Sequence, residues 1–299
     1  MASDRHRRLS AVRFFRIEQV RRLDFAAALF YFRELELAMI IDFHTHFYPD
    51  KIAGRALASI AGIMTPATDG TRAGLEQSMA DAGIDLAVGL PLVNSPGNSR
   101  GVNEWAIREH GGRVVMLGSV HPEEERPLAT LDRIAAAGLP GIKLHPEYQN
   151  FRFGDERLNP IWQRCVELEL FVLTHAGGDL KFPPPYRSNP AELAAFHRRH
   201  PHLTLILAHF GGMDMWDEVE TELIGLPVYF DLAMIGGFNF DPARLAKLIR
   251  RHGADRVLFG TDSPWTSPRE AVDFVRKLPL TDDEKERIFF RNAARLLRR

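Results

Sequence analysis

From residue 39 onward the chain alternates short apolar runs with longer amphipathic segments, eight times over. The apolar runs fall at 39–44, 85–91, 113–120, 141–145, 170–175, 203–209, 227–232 and 256–261, and are rich in Val, Ile, Leu and Phe. They show little polar alternation, which predicts parallel strands covered on both faces. The segments between them read as helices, several with legible starts. Asn189-Pro190 and Asp241-Pro242 each place a cap residue before a proline at the first helical position. Ser267-Pro-Arg-Glu270 and Thr281-Asp-Asp-Glu284 read as capping boxes. His110-Gly111 and His252-Gly253 read as helix stops, with the imidazole favourable at the negative end of the helix dipole. His110, His197, His200, His202 and His252 are therefore expected at the surface or in caps.

Eight strand–helix units over residues 39–299 fit one α/β domain of the (β/α)8 TIM-barrel type, which takes about 250 residues. An open doubly wound sheet would need a glycine-rich phosphate loop after an early strand, and the chain has no G-x-G-x-x-G. Residues 1–38 stand apart, with eight arginines among the first 33 residues mixed with apolar patches. They are expected to form an appended N-terminal extension, poorly ordered or a short amphipathic helix. Arg7-Arg8 resembles a twin-arginine signal only faintly, because charge breaks the apolar run at both ends and no small-residue cleavage site follows. Deleting residues 1–38 is expected to leave both the unfolding midpoint and the turnover rate unchanged; a large drop in either would make the extension part of the domain.

Composition narrows the partners. A net charge of −1 and a pI near 6.9 provide no electrostatic reason to expect nucleic acid or an anionic membrane. No uncharged apolar run approaches the roughly 20 residues of a membrane span. The single Cys165 excludes an internal disulfide framework and suits a reducing compartment, so a cytoplasmic location is expected. Its helical surroundings predict a packed, inert thiol. A small-molecule substrate is the partner this leaves, with homo-oligomerisation open.

Chemistry enters at the ends of the apolar runs. The first run ends in His44-Thr45-His46, the fifth in His175, the sixth in His209 and the eighth in Asp262. In a strand, residues two apart share a face, so one ion can take both His44 and His46. A lone histidine of this kind is more often a satisfied, half-buried residue than a ligand. The series of matching strand ends reverses that reading, and a core carboxylate such as Asp262 is rare unless it is paired or bound to a cation.

Six segments together resemble a known family: Asp42-Phe-His-Thr-His46, Gly141-Ile-Lys-Leu-His-Pro146, Leu173-Thr-His-Ala-Gly177, Ala208-His-Phe-Gly-Gly212, Val228-Tyr-Phe-Asp231 and Leu258-Phe-Gly-Thr-Asp-Ser-Pro264. They look like the amidohydrolase superfamily, and within it the amidohydrolase-related branch of metal-dependent hydrolases and aminocarboxymuconate-semialdehyde-decarboxylase-like proteins. The resemblance implies that His44, His46, His175 and Asp262 hold a divalent ion, zinc being the first choice. It places His209 beside the activated water or substrate, or on a second ion. Lys143 matches the lysine that, carboxylated, bridges two ions in some members. One ion is favoured here and two stay open. The implied mechanism has metal-activated water, Asp262 taking the proton and His209 orienting the water or steadying the oxyanion. Asp42 is expected either behind a ligand ring N–H or in a barrel-floor hydrogen bond.

The remaining strand ends offer substrate contacts, each balanced against a loop-bracing role: Asn94, His121, His145 and Asp231. The loop 177–187 contains three consecutive prolines and is expected to present Lys181, Phe182, Tyr186 and Arg187 to a carboxylated, planar substrate. Gly211-Gly212 either lets the backbone approach a ligand or fits a tight turn into the next helix. The leading functional expectation is a metal-dependent hydrolase acting on a C–N or ester bond of a small molecule. A non-oxidative carboxy-lyase using the same site is the alternative, and a non-catalytic metal- or ligand-binding barrel the third.

Overall fold

Each apolar run forms a strand because both of its faces are covered, and each strand is followed by a helix that covers the outer one. The computed structural model describes residues 39–298 apart from residues 61 and 239, so the expectation for residues 1–38 lies outside the described residues. Among the described residues the strands are β1 (Ile41–Thr45), β2 (Leu86–Gly89), β3 (Val114–Met116), β4 (Gly141–Leu144), β5 (Phe171–Thr174), β6 (Leu205–Leu207), β7 (Tyr229–Asp231) and β8 (Val257–Leu258). The helices that follow them are α1 (Arg72–Ala82), α2 (Ser99–Glu109), α3 (Pro127–Ala136), α4 (Asn159–Glu167), α5 (Pro190–Arg199), α6 (Trp216–Glu222), α7 (Pro242–His252) and α8 (Pro268–Lys277). An additional helix, Asp50–Ala58, lies between β1 and α1.

All strand pairings are parallel, in two runs, β1-β2-β3 and β4 to β8 in order. Two seams close these runs into a cylinder. Between β3 and β4, Gly118 N–H donates to Gly141 O at 2.9 Å and Lys143 N–H to Gly118 O at 2.8 Å. Between β8 and β1, Phe43 N–H donates to Phe259 O and Asp262 N–H to His44 O, both at 2.8 Å. The second seam places Asp262 beside His44 by backbone pairing alone.

Two apolar layers hold the cylinder. The inner one contains Phe43, Val88, Leu173, Ile206 and Leu258, joined by Ala293 and Ala294 of the C-terminal helix Asn292–Leu297. The outer one packs strands on helices through residues such as Ile142, Val172, Leu207, Trp162, Phe196 and Leu245. Full burial of one Leu, Ile or Phe stabilises by about 1.5–3 kcal/mol, so these layers dominate the fold. Asn189, Asp241 and Ser267 accept backbone N–H bonds as expected, and both halves of the capping box form at Thr281, whereas at Ser267 only the hydroxyl half of the expected box forms. Cys165 is buried, and burial pushes its thiol up to about 12, which leaves it inert.

Two histidines depart from the surface expectation. His197 and His252 are buried. The reason is helical spacing: Leu245, Leu248, Ile249 and His252 share the inward face of α7, as Leu193, Phe196 and His197 do on α5. The His252 ring stacks on Phe230 with centroids 4.1 Å apart. Its Nε2–H donates to Val228 O at 2.9 Å, while Nδ1 accepts from Gly225 N–H at 3.3 Å. Burial lowers its pKa to about 4, against 6.5 for an ordinary histidine. Between those values the unfolded chain binds a proton that the folded chain does not, so stability is full above about pH 6.5 and falls on acidification towards 4. Thermal unfolding followed from pH 7 to 4 should show this loss. His252→Phe, which keeps the ring, should flatten part of it; an unaltered pH dependence in the variant would contradict the assignment.

Candidate metal centre

The site lies where β1, β4, β5, β6, β7 and β8 end at the carboxyl face of the barrel, the end that carries the active sites of such barrels. Along β1 the ladder to β2 loses regular register between Asp42 and Thr45, an irregularity that re-aims side chains. There His44 Nε2 and His46 Nε2 come within 3.3 Å of each other. Asp262 Oδ1 lies 3.5 Å from His44 Nε2 and 3.2 Å from His46 Nε2. His209 and Asp262 adopt left-handed backbone conformations, φ 57° and 66°. Such strain persists only where surrounding bonds enforce it. His209 N–H donates to Asp231 Oδ1 at 2.9 Å, and Asp262 N–H to His44 O.

Hydrogen bonding determines which ring nitrogens carry protons. His46 Nδ1 lies 2.9 Å from Leu90 O, a carbonyl that only accepts, so Nδ1 bears the hydrogen and Nε2 a lone pair. His44 Nδ1 donates to Asp231 Oδ2 at 2.7 Å, freeing its Nε2 in the same way. His209 Nδ1 donates to Ala233 O at 3.1 Å, and His175 Nε2 to Gly178 O at 2.9 Å. The atoms left, His209 Nε2 and His175 Nδ1, face each other at 3.1 Å. Asp262 Oδ1 is buried and has no hydrogen-bond partner. Electron pairs that converge in this way repel unless a cation lies among them, so the residues present fit a divalent ion.

The electrostatics agree. Burial, reinforced by Lys143, holds His44 well below the usual histidine range. Burial lowers His209 to about 4 and His175 to about 3, each helped by neighbouring imidazoles. Burial pushes the Asp262 carboxyl up, but the charge that a proton would place on His44 or His46 outweighs it, so the carboxyl stays below its ordinary range. Neutral imidazoles around a carboxylate are the protonation states that bind metal. Lys143 is buried, and burial lowers it to about 8 against the pull of Asp262 and Asp231.

Two sets of donors cluster most tightly among the described residues: His44, His46 and Asp262, and then His145, His175 and Asp179. His209 bridges them, with ring centroids 5.3 Å from His44 and 4.9 Å from His175. His145 stacks on His175 at 4.2 Å and meets Asp179 Oδ2 through Nε2 at 3.3 Å. Above both sets opens a cavity of about 810 Å³. Asn94, His145 and Lys181 line it, as expected, and so do Tyr48, Trp105, Tyr148 and Asp179, which sequence reasoning did not single out. Tyr148 sits three residues after His145, a helical spacing that was available as a signal.

Other candidates lie against neighbouring scaffold residues. Arg187 does not line the cavity; its guanidinium lies 3.5 Å from Glu147, whose nearly buried carboxylate needs a cation. Tyr186 packs against Gly178 and also stays out of the lining. Phe182 packs edge-on to Tyr148 at 5.0 Å. His121 braces its own loop by accepting from Glu123 N–H. A Cβ on Gly211 would meet Phe230 at 2.6 Å and one on Gly212 would meet Val219 at 2.7 Å, so these glycines serve tight packing. Asp42 makes the floor contact: it accepts from Thr261 N–H at 3.0 Å and Thr261 Oγ1 at 2.6 Å.

Asp231, not Asp42, stands behind the His44 ring. Groups that orient a ligand imidazole typically cost 10–100-fold in metal affinity or activity when lost. Asp231→Asn should weaken metal affinity by about that factor, measured by competition with a chromophoric chelator; unchanged affinity would relegate Asp231 to the scaffold.

A closed parallel barrel with imidazoles and a carboxylate converging at its strand ends has the architecture of the metal-dependent TIM-barrel enzymes. The chain belongs to the Amidohydrolase family, whose model matches residues 41–299. No curated protein sequence matches it significantly. Among solved structures, an uncharacterised TIM-barrel protein from Bordetella bronchiseptica is similar at 21% identity and a TM-score of 0.70, covering 87% of this chain and 98% of that one. The 5-carboxyvanillate decarboxylase LigW from Sphingomonas paucimobilis is similar at 15% identity and a TM-score of 0.67, covering 87% and 99%. A second 5-carboxyvanillate decarboxylase, LigW2 from Novosphingobium aromaticivorans, holds manganese in its structure; it is 14% identical, with a TM-score of 0.66 and coverage of 88% and 98%. Among the described residues no helix is long and apolar enough to cross a membrane.

Proposed function

We propose that the protein is a metal-dependent, non-oxidative decarboxylase of a small aromatic or unsaturated carboxylic acid. The observation that carries this reading is the setting of the donor cluster at the floor of a large cavity with aromatic and aliphatic walls, Lys143 and Lys181 being the lysines in its lining. Decarboxylation turns a carboxylate into neutral carbon dioxide while its electron pair spreads into the ring, so the aromatic and aliphatic part of the lining suits the less charged product side of the step. The decarboxylases among the similar solved structures support the same choice.

His44, His46 and Asp262 would hold the ion, with His175 and His209 as the adjoining donors. A bound divalent ion supplies positive charge for the substrate carboxylate and a neighbouring oxygen. Zinc and manganese both suit imidazole with carboxylate. Lys143 faces the cavity as a second cationic group for that carboxylate. Asp262 accepts the proton of a hydroxyl beside the carboxylate as the substrate seats. It returns that proton to the ring carbon as the C–C bond breaks, the bonding pair stays on the ring and carbon dioxide leaves. The oxygen left behind is reprotonated from solvent, so one proton is consumed and nothing is oxidised or reduced. The His145–Asp179 pair and Tyr148 form the polar wall that orients the ring.

Hydrolysis is the second reading, and one observation favours it. A buried Lys143 lowered to about 8 is partly neutral near physiological pH, the state that reacts with carbon dioxide to give a metal-bridging carbamate. Metal analysis of the purified protein, joined to a screen of hydroxybenzoates, amides and lactones, separates the two. Carbon dioxide released in equal amount to the decarboxylated ring is expected. A hydrolytic product with no gas would replace the proposal with hydrolysis.

A further inference from the structure

The cavity is two-faced. Its β4–β5 wall is polar, whereas the wall supplied after β1 and β2 is mainly apolar, through Phe47, Ile52, Ile60, Met64, Val102 and Trp105, with Tyr48, Arg55, Ser59, Asn94 and Asn98 interrupting it. Phe47 and Trp105 meet edge to face at 5.1 Å, tying the two halves of that wall together. At its mouth Ile52 is 36% exposed and Ile63 46%, large aliphatic surface held in water beside a deep pocket. Apolar area of this kind lowers the free energy of a complex when a ligand covers it. The volume points the same way. About 810 Å³ lies in the upper part of the roughly 300–1,000 Å³ range of pockets that enclose drug-sized ligands, well beyond the needs of one substituted ring. Gly97 and Gly101 line the same region, and a Cβ at either would meet nothing within 4 Å, so the space there is open.

We infer that the substrate is a carboxylic acid carrying a second apolar group, an aryl or alkyl arm of about the size of another ring, which lies along the β1–β2 wall while the carboxylate faces the donor cluster. The inference rests on the proposed reading for the identity of the head group, and on the cavity alone for the arm.

The test measures binding and turnover separately, using the metal-loaded full chain. The probes are 2-hydroxybenzoate and its 4-butyl and 4-phenyl derivatives, titrated calorimetrically and assayed for carbon dioxide. Each methylene buried should tighten binding about fourfold, so the derivatives should bind at least about tenfold more tightly than the parent acid. Gly101→Phe, on a helix that accepts the side chain without collision, should cut that ratio to about threefold or less. Gly97→Leu provides a second obstruction should the first variant fail to fold. Equal affinities across the series, or an obstruction that weakens parent and derivatives by one common factor, would overturn the inference. Tight, obstruction-sensitive binding of the derivatives without carbon dioxide would remove the decarboxylase reading and leave the arm standing. Carbon dioxide from the parent acid with no gain from the arm would do the reverse.

Discussion

Asp262→Asn should lower turnover by about 10³-fold while the barrel stays folded, in keeping with the 10²–10⁴-fold usually supplied by a positioned proton-transfer group. The substitution spares the backbone because asparagine tolerates the left-handed conformation that Asp262 adopts at φ 66°, and assay at saturating metal separates lost proton transfer from weakened ion binding. It keeps the shape of the side chain but removes both the negative charge and the ability to carry a proton. Stability should move in the opposite direction to activity. In the metal-free protein, the buried and unpartnered Oδ1 of Asp262 faces two imidazole lone pairs, whereas an asparagine amide can donate to them. The metal-free variant should therefore unfold at a temperature no lower than the metal-free parent. Near-normal turnover would take Asp262 out of the mechanism, and a strongly lowered unfolding temperature would show that its carboxylate supports the fold.

Removing the ion should abolish activity outright and destabilise the protein. A ligand that binds only the folded chain, present at 1,000 times its dissociation constant, contributes about 4 kcal/mol. For a domain of this size that corresponds to an unfolding midpoint lower by about 10 °C after chelation. Zinc or manganese added back should restore both quantities together. Activity that survives exhaustive chelation, verified by metal analysis, would refute a metal-centred reaction. A midpoint indifferent to the ion would show that the donor cage is already satisfied by other means, contrary to the tautomers deduced from Leu90 O, Ala233 O and Gly178 O.

How far the chain could be read depended on how local the determining physics is. The eight apolar runs, the caps at Asn189, Asp241, Ser267 and Thr281, and the inert Cys165 follow from neighbouring residues, and they were legible. So were the donors at the strand ends, because a parallel barrel brings every carboxyl end to one face. Legibility failed where a side chain had several partners to choose from. Asp42 and Asp231 are both strand carboxylates, and nothing local shows that Asp231 reaches His44 while Asp42 turns to Thr261. Arg187 has the chemistry of a carboxylate ligand, yet the buried acid it serves is Glu147 of its own scaffold. The inward position of His252 was present in its spacing from Leu245, Leu248 and Ile249, but the adjacent glycine suggested a cap instead.

What the amino-acid order determined by itself, then, was the succession of elements and most of the candidate donor groups, Asp179 excepted, since hydrophobic periodicity and side-chain chemistry act over a few residues. Tertiary structure alone decided how those groups meet. The β8–β1 seam, formed by segments more than 200 residues apart, presses Asp262 against His44 and His46, and His209 links that trio to His175. It also set a mainly apolar wall opposite a polar one, because the loops after β1 and β2 come together only once the cylinder has closed.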